Sequence, residues 1–161
     1  MYNEEVINNV KDIIVERGET VSVAESVTSG HLQAAFSLAM DASQYFQGGI
    51  TVYNLGQKTR HLNIEPTYAL EVNCVAEKVS ADMALEVSKK FLSDYGIGIT
   101  GYATIVPQCE EEGVYAYCCI SYKNEIVVTK KLTSRQEGSL AVQVDYTNQV
   151  MQIFLDWLQQ K

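Results

Sequence analysis

Thr20-Val21-Ser22-Val23-Ala24-Glu25-Ser26-Val27-Thr28-Ser29-Gly30 reads as a strand that breaks into a turn and opens a helix. Valine recurs at every second position of Thr20–Ala24, the period of a half-buried strand. A helical stretch follows, from about Thr28 to Met40. At such a junction backbone N–H groups are free and the helix dipole favours negative charge. Ser26 stands at that point. A serine there most often caps the helix, so the residues alone leave cap and nucleophile open.

Working outward, residues 4–17 carry Val6, Ile7, Val10, Ile13 and Ile14 at helical spacing, with Gly18 as the stop. Tyr45–Tyr53 reads as a strand entered through Gly48-Gly49, and 55–63 as a short polar helix or turn. Val79, Met83, Val87 and Phe91 repeat every four residues, with Ser80 as the candidate N-cap. Gly96–Thr100 is a short buried strand whose glycines imply close approach of another backbone or a ligand. Val114–Tyr122 and Ile126–Leu132 form a hairpin about Lys123-Asn124-Glu125. The last helix buries a stripe running from Leu140 through Val144, Thr147, Met151 and Phe154 to Leu158.

This order predicts an α/β fold, a three-layer α/β/α sandwich around a mixed sheet, with residues 1–161 forming one domain. Ligands of such sheets bind outside the strand C-termini. Ala24, Tyr53 and Thr100 all fall at predicted strand C-termini, which supports one shared site.

Net charge is −8, with lysine and arginine scattered, which argues against a nucleic-acid partner. No apolar stretch reaches membrane-spanning length and no apolar run follows Met1, so no membrane partner and a cytoplasmic location are expected. Cys74, Cys109, Cys118 and Cys119 form no C-x-x-C pair, and the two histidines are His31 and His61. Metal-ligand spacing is absent, and the cysteines read as small buried hydrophobes in a reducing compartment.

Lys58 follows Tyr53 by five residues. A hydroxyl, a phenol and an amine at neighbouring strand ends are the parts of a Ser–Lys amidohydrolase. Each also has a plainer reading: turn serine, sheet-packing aromatic, solvated lysine. At these residues the chain resembles the CinA C-terminal domain family, the nicotinamide-nucleotide amidohydrolases. That family carries A-E-S-C-T-G-G, and Ala24–Gly30 matches five of seven positions. Gly48, Gly49, Tyr53 and Lys58 match its G-G-x-x-x-Y-S-N-E-x-K, Val79-Ser80 its A-V-S and Thr100-Gly101 its T-G. Arg135 matches, after a one-residue gap, an arginine before the last helix.

The resemblance implies hydrolysis of nicotinamide mononucleotide to nicotinate mononucleotide and ammonia, with no cofactor. It implies Ser26 as nucleophile, Lys58 as general base and Tyr53 as the group that orients that lysine or relays a proton. Glu25, Thr28, Ser29, Gly30, Gly49, Thr100, Gly101 and Arg135 would serve the substrate, with free N–H groups near Thr28 and Ser29 for the oxyanion and Arg135 for the phosphate. The implied partner is a small nucleotide, and a homo-oligomer is compatible. The chain also departs from the pattern. The family's A-G-P-x-G-G loop is replaced by Tyr102–Cys109, without a glycine, and Glu111-Glu112-Gly113 stands for P-V-G. These departures favour an alternative, a nucleotide-binding or scaffold protein that has lost turnover.

Overall fold

The computed structural model describes all residues, 1–161. Five strands form one mixed sheet in the order β2-β1-β3-β4-β5: β1 (Val21–Glu25), β2 (Phe46–Thr51), β3 (Tyr95–Gly101), β4 (Tyr115–Tyr122) and β5 (Glu125–Thr133). β1 runs parallel to β2 and β3, and β4 is antiparallel to both β3 and β5. Helices α1 (Glu4–Glu16), α2 (His31–Ser37) and α6 (Ser139–Gln160) cover one face. Helices α3 (Leu55–Leu62), α4 (Pro66–Glu71) and α5 (Glu77–Phe91) cover the other. No helix is long and apolar enough to cross a membrane.

Alternation along β1 sorts its side chains between the two layers. Val21 and Val23 enter the larger core with Phe36, Phe154 and Ile97. Ala24 joins Val79, Met83 and Val87 opposite, where the Ser22 hydroxyl donates to Val87 O at 3.2 Å. Glu25 returns to the α2 side and Ser26 to the α3 side, so two adjacent residues carry buried polar groups to opposite layers.

On β3 the glycines are a packing device. A Cβ on Gly96 would stand 2.0 Å from Ala84 O, and one on Gly98 2.2 Å from Ser80 O. Their absence lets α5 lie directly on the strand. Ser80 is therefore not the N-cap. α5 begins at Glu77 with Ala76 as cap, and the buried Ser80 hydroxyl donates to Gly98 O at 2.8 Å.

Other boundaries differ for local reasons. α2 starts only at His31, because Ser29 (φ 51°) and Gly30 (φ 103°) turn left-handed before it. α4 is an element that periodicity did not announce: Pro66 fixes its first turn and the Glu65 carboxylate accepts from Thr67 N and Tyr68 N. Leu140 is exposed and Val144 half-buried; α6 buries Thr147, Met151, Phe154 and Leu158 of the expected stripe, with Val142, Tyr146 and Val150 beside them. The hairpin turns through Lys123 and Asn124, both at positive φ, the conformation a tight two-residue hairpin requires.

Gly98→Ala is expected to destabilise by about 1–3 kcal/mol or more, since the clash is with backbone. Thermal unfolding checks it. At about 2–4 °C per kcal/mol, a variant melting within 1 °C of wild type would refute the close contact.

Candidate active site

Helix α3 follows β2 after Asn54, whose side chain caps it by accepting from Gln57 N at 3.0 Å. Lys58 lies one turn into α3 and points inward, 1% exposed. Its Nζ donates to Ser26 Oγ at 2.8 Å, to Val52 O at 2.9 Å and to Tyr53 O at 3.4 Å. Burial pulls its pKa down to about 8, and the neighbouring Cys74 acts in the opposite sense. A lysine so placed carries an appreciable neutral fraction near neutral pH. Ser26 is buried too, and its hydroxyl lies 3.5 Å from Tyr53 O.

Ser26 and Lys58 open onto a cavity of about 570 Å³ at the C-terminal ends of β1, β2 and β3. Tyr53, Thr100 and Gly101 line the same cavity. Thr100 is buried and donates to Cys74 O at 2.8 Å. Tyr53 contributes differently from the phenol role the resemblance implies. Its side chain is 69% exposed, and its carbonyl is what meets Lys58. Strand alternation at the end of β2 turns the ring outward while Val52 turns in.

The remaining expected residues stand outside the cavity. Glu25 is fully buried and accepts from Thr28 Oγ1 at 2.6 Å, Gly30 N at 3.1 Å, Leu32 N at 2.9 Å and Gln33 N at 2.9 Å. Glu25, Thr28 and Gly30 thus build the turn and the start of α2 rather than touch the space beside Ser26. Ser29 is exposed and donates its N–H to Ser26 O. The N–H groups of Val27 and Thr28, by contrast, meet no acceptor within the protein. Gly49 is a packing glycine: a Cβ there would come within 2.5 Å of Val23 and 2.8 Å of Gln33. Arg135 is exposed in a neighbouring groove that shares only Ala103, Thr104 and Ser139 with the cavity.

Several lining residues escaped sequence reading. Asn73 and Cys74 close the cavity from the α4–α5 turn, both at positive φ. Such a pair of non-glycine residues was the one available signal, and it is conformational. Asn73 Nδ2 donates to Tyr102 OH at 3.1 Å across the mouth. Ser139 and Gln143 reach the cavity from α6. Three of the four cysteines are buried as expected, whereas Cys74 is half-buried in the cavity wall. His31 meets the Tyr2 hydroxyl through Nδ1, away from Ser26. No three His, Cys, Asp or Glu side chains gather as a metal ion requires.

A family model described as the CinA C-terminal domain matches residues 3–158. A CinA-like protein of Prochlorococcus marinus is 37% identical over 102 residues, 63% of this chain and 24% of that protein. One from Synechocystis is 38% identical over 102 residues, with the same shares. The chain thus spans about a quarter of the length of these curated relatives. Among solved structures, the competence or damage-inducible protein of Enterobacter asburiae superposes with a TM-score of 0.90 at 19% identity, covering 98% of this chain and 99% of that one. The competence/damage inducible protein CihA of Agrobacterium tumefaciens gives 0.89 at 18%, covering 99% and 98%. These structures bear on the fold, and the family match extends over nearly every residue that builds it. The chain belongs to the CinA C-terminal domain family.

Proposed function

We propose that this protein is a Ser–Lys amidohydrolase acting on the carboxamide of a nicotinamide nucleotide or a related amide. The observation that carries the reading is the buried contact of 2.8 Å between Lys58 Nζ and Ser26 Oγ at the floor of an open cavity. In the neutral form of Lys58, Nζ takes the Ser26 hydroxyl proton as Oγ attacks the amide carbon. The C=O π bond opens, and its oxygen becomes an oxyanion that the unpaired N–H of Val27, a residue lining the cavity, is free to receive. One such donor is worth about 2.7–4 kcal/mol in the transition state. The Lys58 ammonium then protonates the nitrogen, the C–N bond breaks and ammonia leaves an ester on Ser26. Water, deprotonated by the same amine, cleaves that ester to the carboxylic acid and restores Ser26. Val52 O and Tyr53 O hold the amine toward the serine throughout.

A second reading is a nucleotide-binding or scaffold protein without turnover. It draws support from the segment 102–112, which lacks glycine and carries Glu110-Glu111-Glu112.

Ser26→Ala is expected to lower ammonia release by at least about 10³-fold, while the melting temperature stays within about 2 °C. Release undiminished in the variant would remove Ser26 from the chemistry. Since Lys58 must be neutral to act as base, kcat/KM is expected to rise with pH up to about 8 and level above it. At pH 7 only about one molecule in ten would hold the neutral amine. A rate independent of pH between 6 and 9 would contradict the role. Lys58→Arg is expected to be inactive at every pH, because a guanidinium does not deprotonate in proteins; an active variant would reassign Lys58.

A further inference from the structure

The end of the sheet opposite Ser26 holds a second cluster of polar and aromatic groups. Tyr95 opens β3 and Tyr122 closes the antiparallel β4, so the two rings stand side by side with centroids 4.8 Å apart. Trp157, in the last turn of α6, sets its ring 5.9 Å from each. Glu19, two residues before β1, accepts from the Tyr95 hydroxyl and, at 2.7 Å, from the Tyr122 hydroxyl. Burial pushes its carboxyl pKa up, but the bonds from Tyr95, Tyr122 and Lys161 outweigh that and hold it below the usual carboxylate range. Three aromatic rings thus stand about a fixed negative charge. We propose that this cage is a binding site for a primary alkylammonium group, and that Lys161 fills it as an internal stand-in.

Lys161 shows which chemistry fits. Its Nζ lies 3.4 Å from the Tyr122 ring centroid, 5.3 Å from that of Tyr95 and 5.6 Å from that of Trp157. All three are within the range at which a ring attracts a cation. The same atom donates to Glu19 Oε1 at 3.0 Å and to the Tyr95 phenol oxygen at 3.0 Å. Two of its three N–H donors therefore meet oxygen, an advantage that a quaternary ammonium lacks. A plain surface ion pair needs no aromatic rings and holds its partner weakly. Here the cage is assembled without the lysine: Tyr95 is buried edge-on against Phe154 at 5.2 Å, and both phenols already donate to Glu19. Lys161 follows the last helical residue, Gln160, so its side chain can leave without unwinding α6. Trp157 and Gln160 also line a groove of about 390 Å³, an approach for the body of an amine-bearing ligand, where Asp156 and Lys130 balance in charge. The net charge of −8 attracts cations at longer range.

Trp157 is the only tryptophan of the chain, so its fluorescence reads the cage directly. Lys161→Ala opens the cage, and Lys161→Gln, which also removes the charge, takes its place if the alanine variant does not fold. The probes are n-butylammonium, Nα-acetyl-lysine amide, tetramethylammonium and 1-butanol. In the opened protein the first two are expected to shift Trp157 emission saturably, with Kd about 1–30 mM. Wild type is expected to bind them at least tenfold more weakly, because Lys161 competes. Adding Glu19→Gln to the opened variant is expected to weaken binding at least tenfold. Tighter binding of the lysine amide supports a peptide lysine as the source of the ammonium, and tighter binding of n-butylammonium supports a free amine. No saturation by about 100 mM in a folded opened variant, equal affinity for 1-butanol or tetramethylammonium, or equal affinity in wild type would overturn the proposal and leave Lys161 as a clasp on α6. None of these outcomes bears on Ser26 and Lys58.

Discussion

A buried carboxylate at the end of β1 is the constraint on which the site depends. Glu25 has no exposure to water, and an uncompensated charge there would be prohibitive. Four donors compensate it, all from residues 28–33. That requirement holds Ser29 and Gly30 left-handed, delays α2 to His31 and fixes the turn in one shape. Ser26 is the first residue of that turn. Its own N–H goes to Ile99 O on β3, so the hydroxyl is held from both sides before any ligand arrives. The free N–H groups of Val27 and Thr28 are a by-product of the same geometry: the turn spends its acceptors elsewhere.

The second buried charge-bearing group, Lys58, follows a different logic. Its surroundings are two carbonyls and a hydroxyl, with no carboxylate among its hydrogen-bond partners. Nothing there favours the ammonium strongly enough to offset burial, and the pKa falls to about 8. A fold seeking stability alone would place a leucine at this position. Left-handed Asn73 and Cys74 add further local cost at the cavity wall, the kind of strain that gathers at working sites. Close packing elsewhere offsets these terms, above all where Gly96 and Gly98 admit α5 onto β3.

Much of this was legible in the residues. Valine alternation in β1, the glycines of β3 and the four-residue repeat of α5 gave the layers, because each is a local signal of burial. Ser26 and Lys58 were legible through their spacing from strand ends. What sequence could not show was the direction in which a side chain acts. Tyr53 offers its carbonyl, Glu25 its carboxylate to backbone, Ser80 its hydroxyl to another strand and Gly49 only its lack of a side chain. Gln143 and Asn73 carried no pattern at all, since their place in the cavity depends on contacts between distant elements. The resemblance supplied Arg135, and the chain around it put that arginine in the next groove.

The central claim is that Lys58 makes Ser26 a nucleophile, and reactivity toward a small fluorophosphonate tests it without reference to substrate. Attack by Ser26 Oγ on phosphorus expels fluoride and leaves a stable ester that peptide mass spectrometry locates. The account predicts one adduct, on Ser26, forming faster as pH rises toward 8 and absent from folded Lys58→Arg. A folded wild-type protein that forms no adduct, or forms it at the same rate without the Lys58 amine, would contradict it.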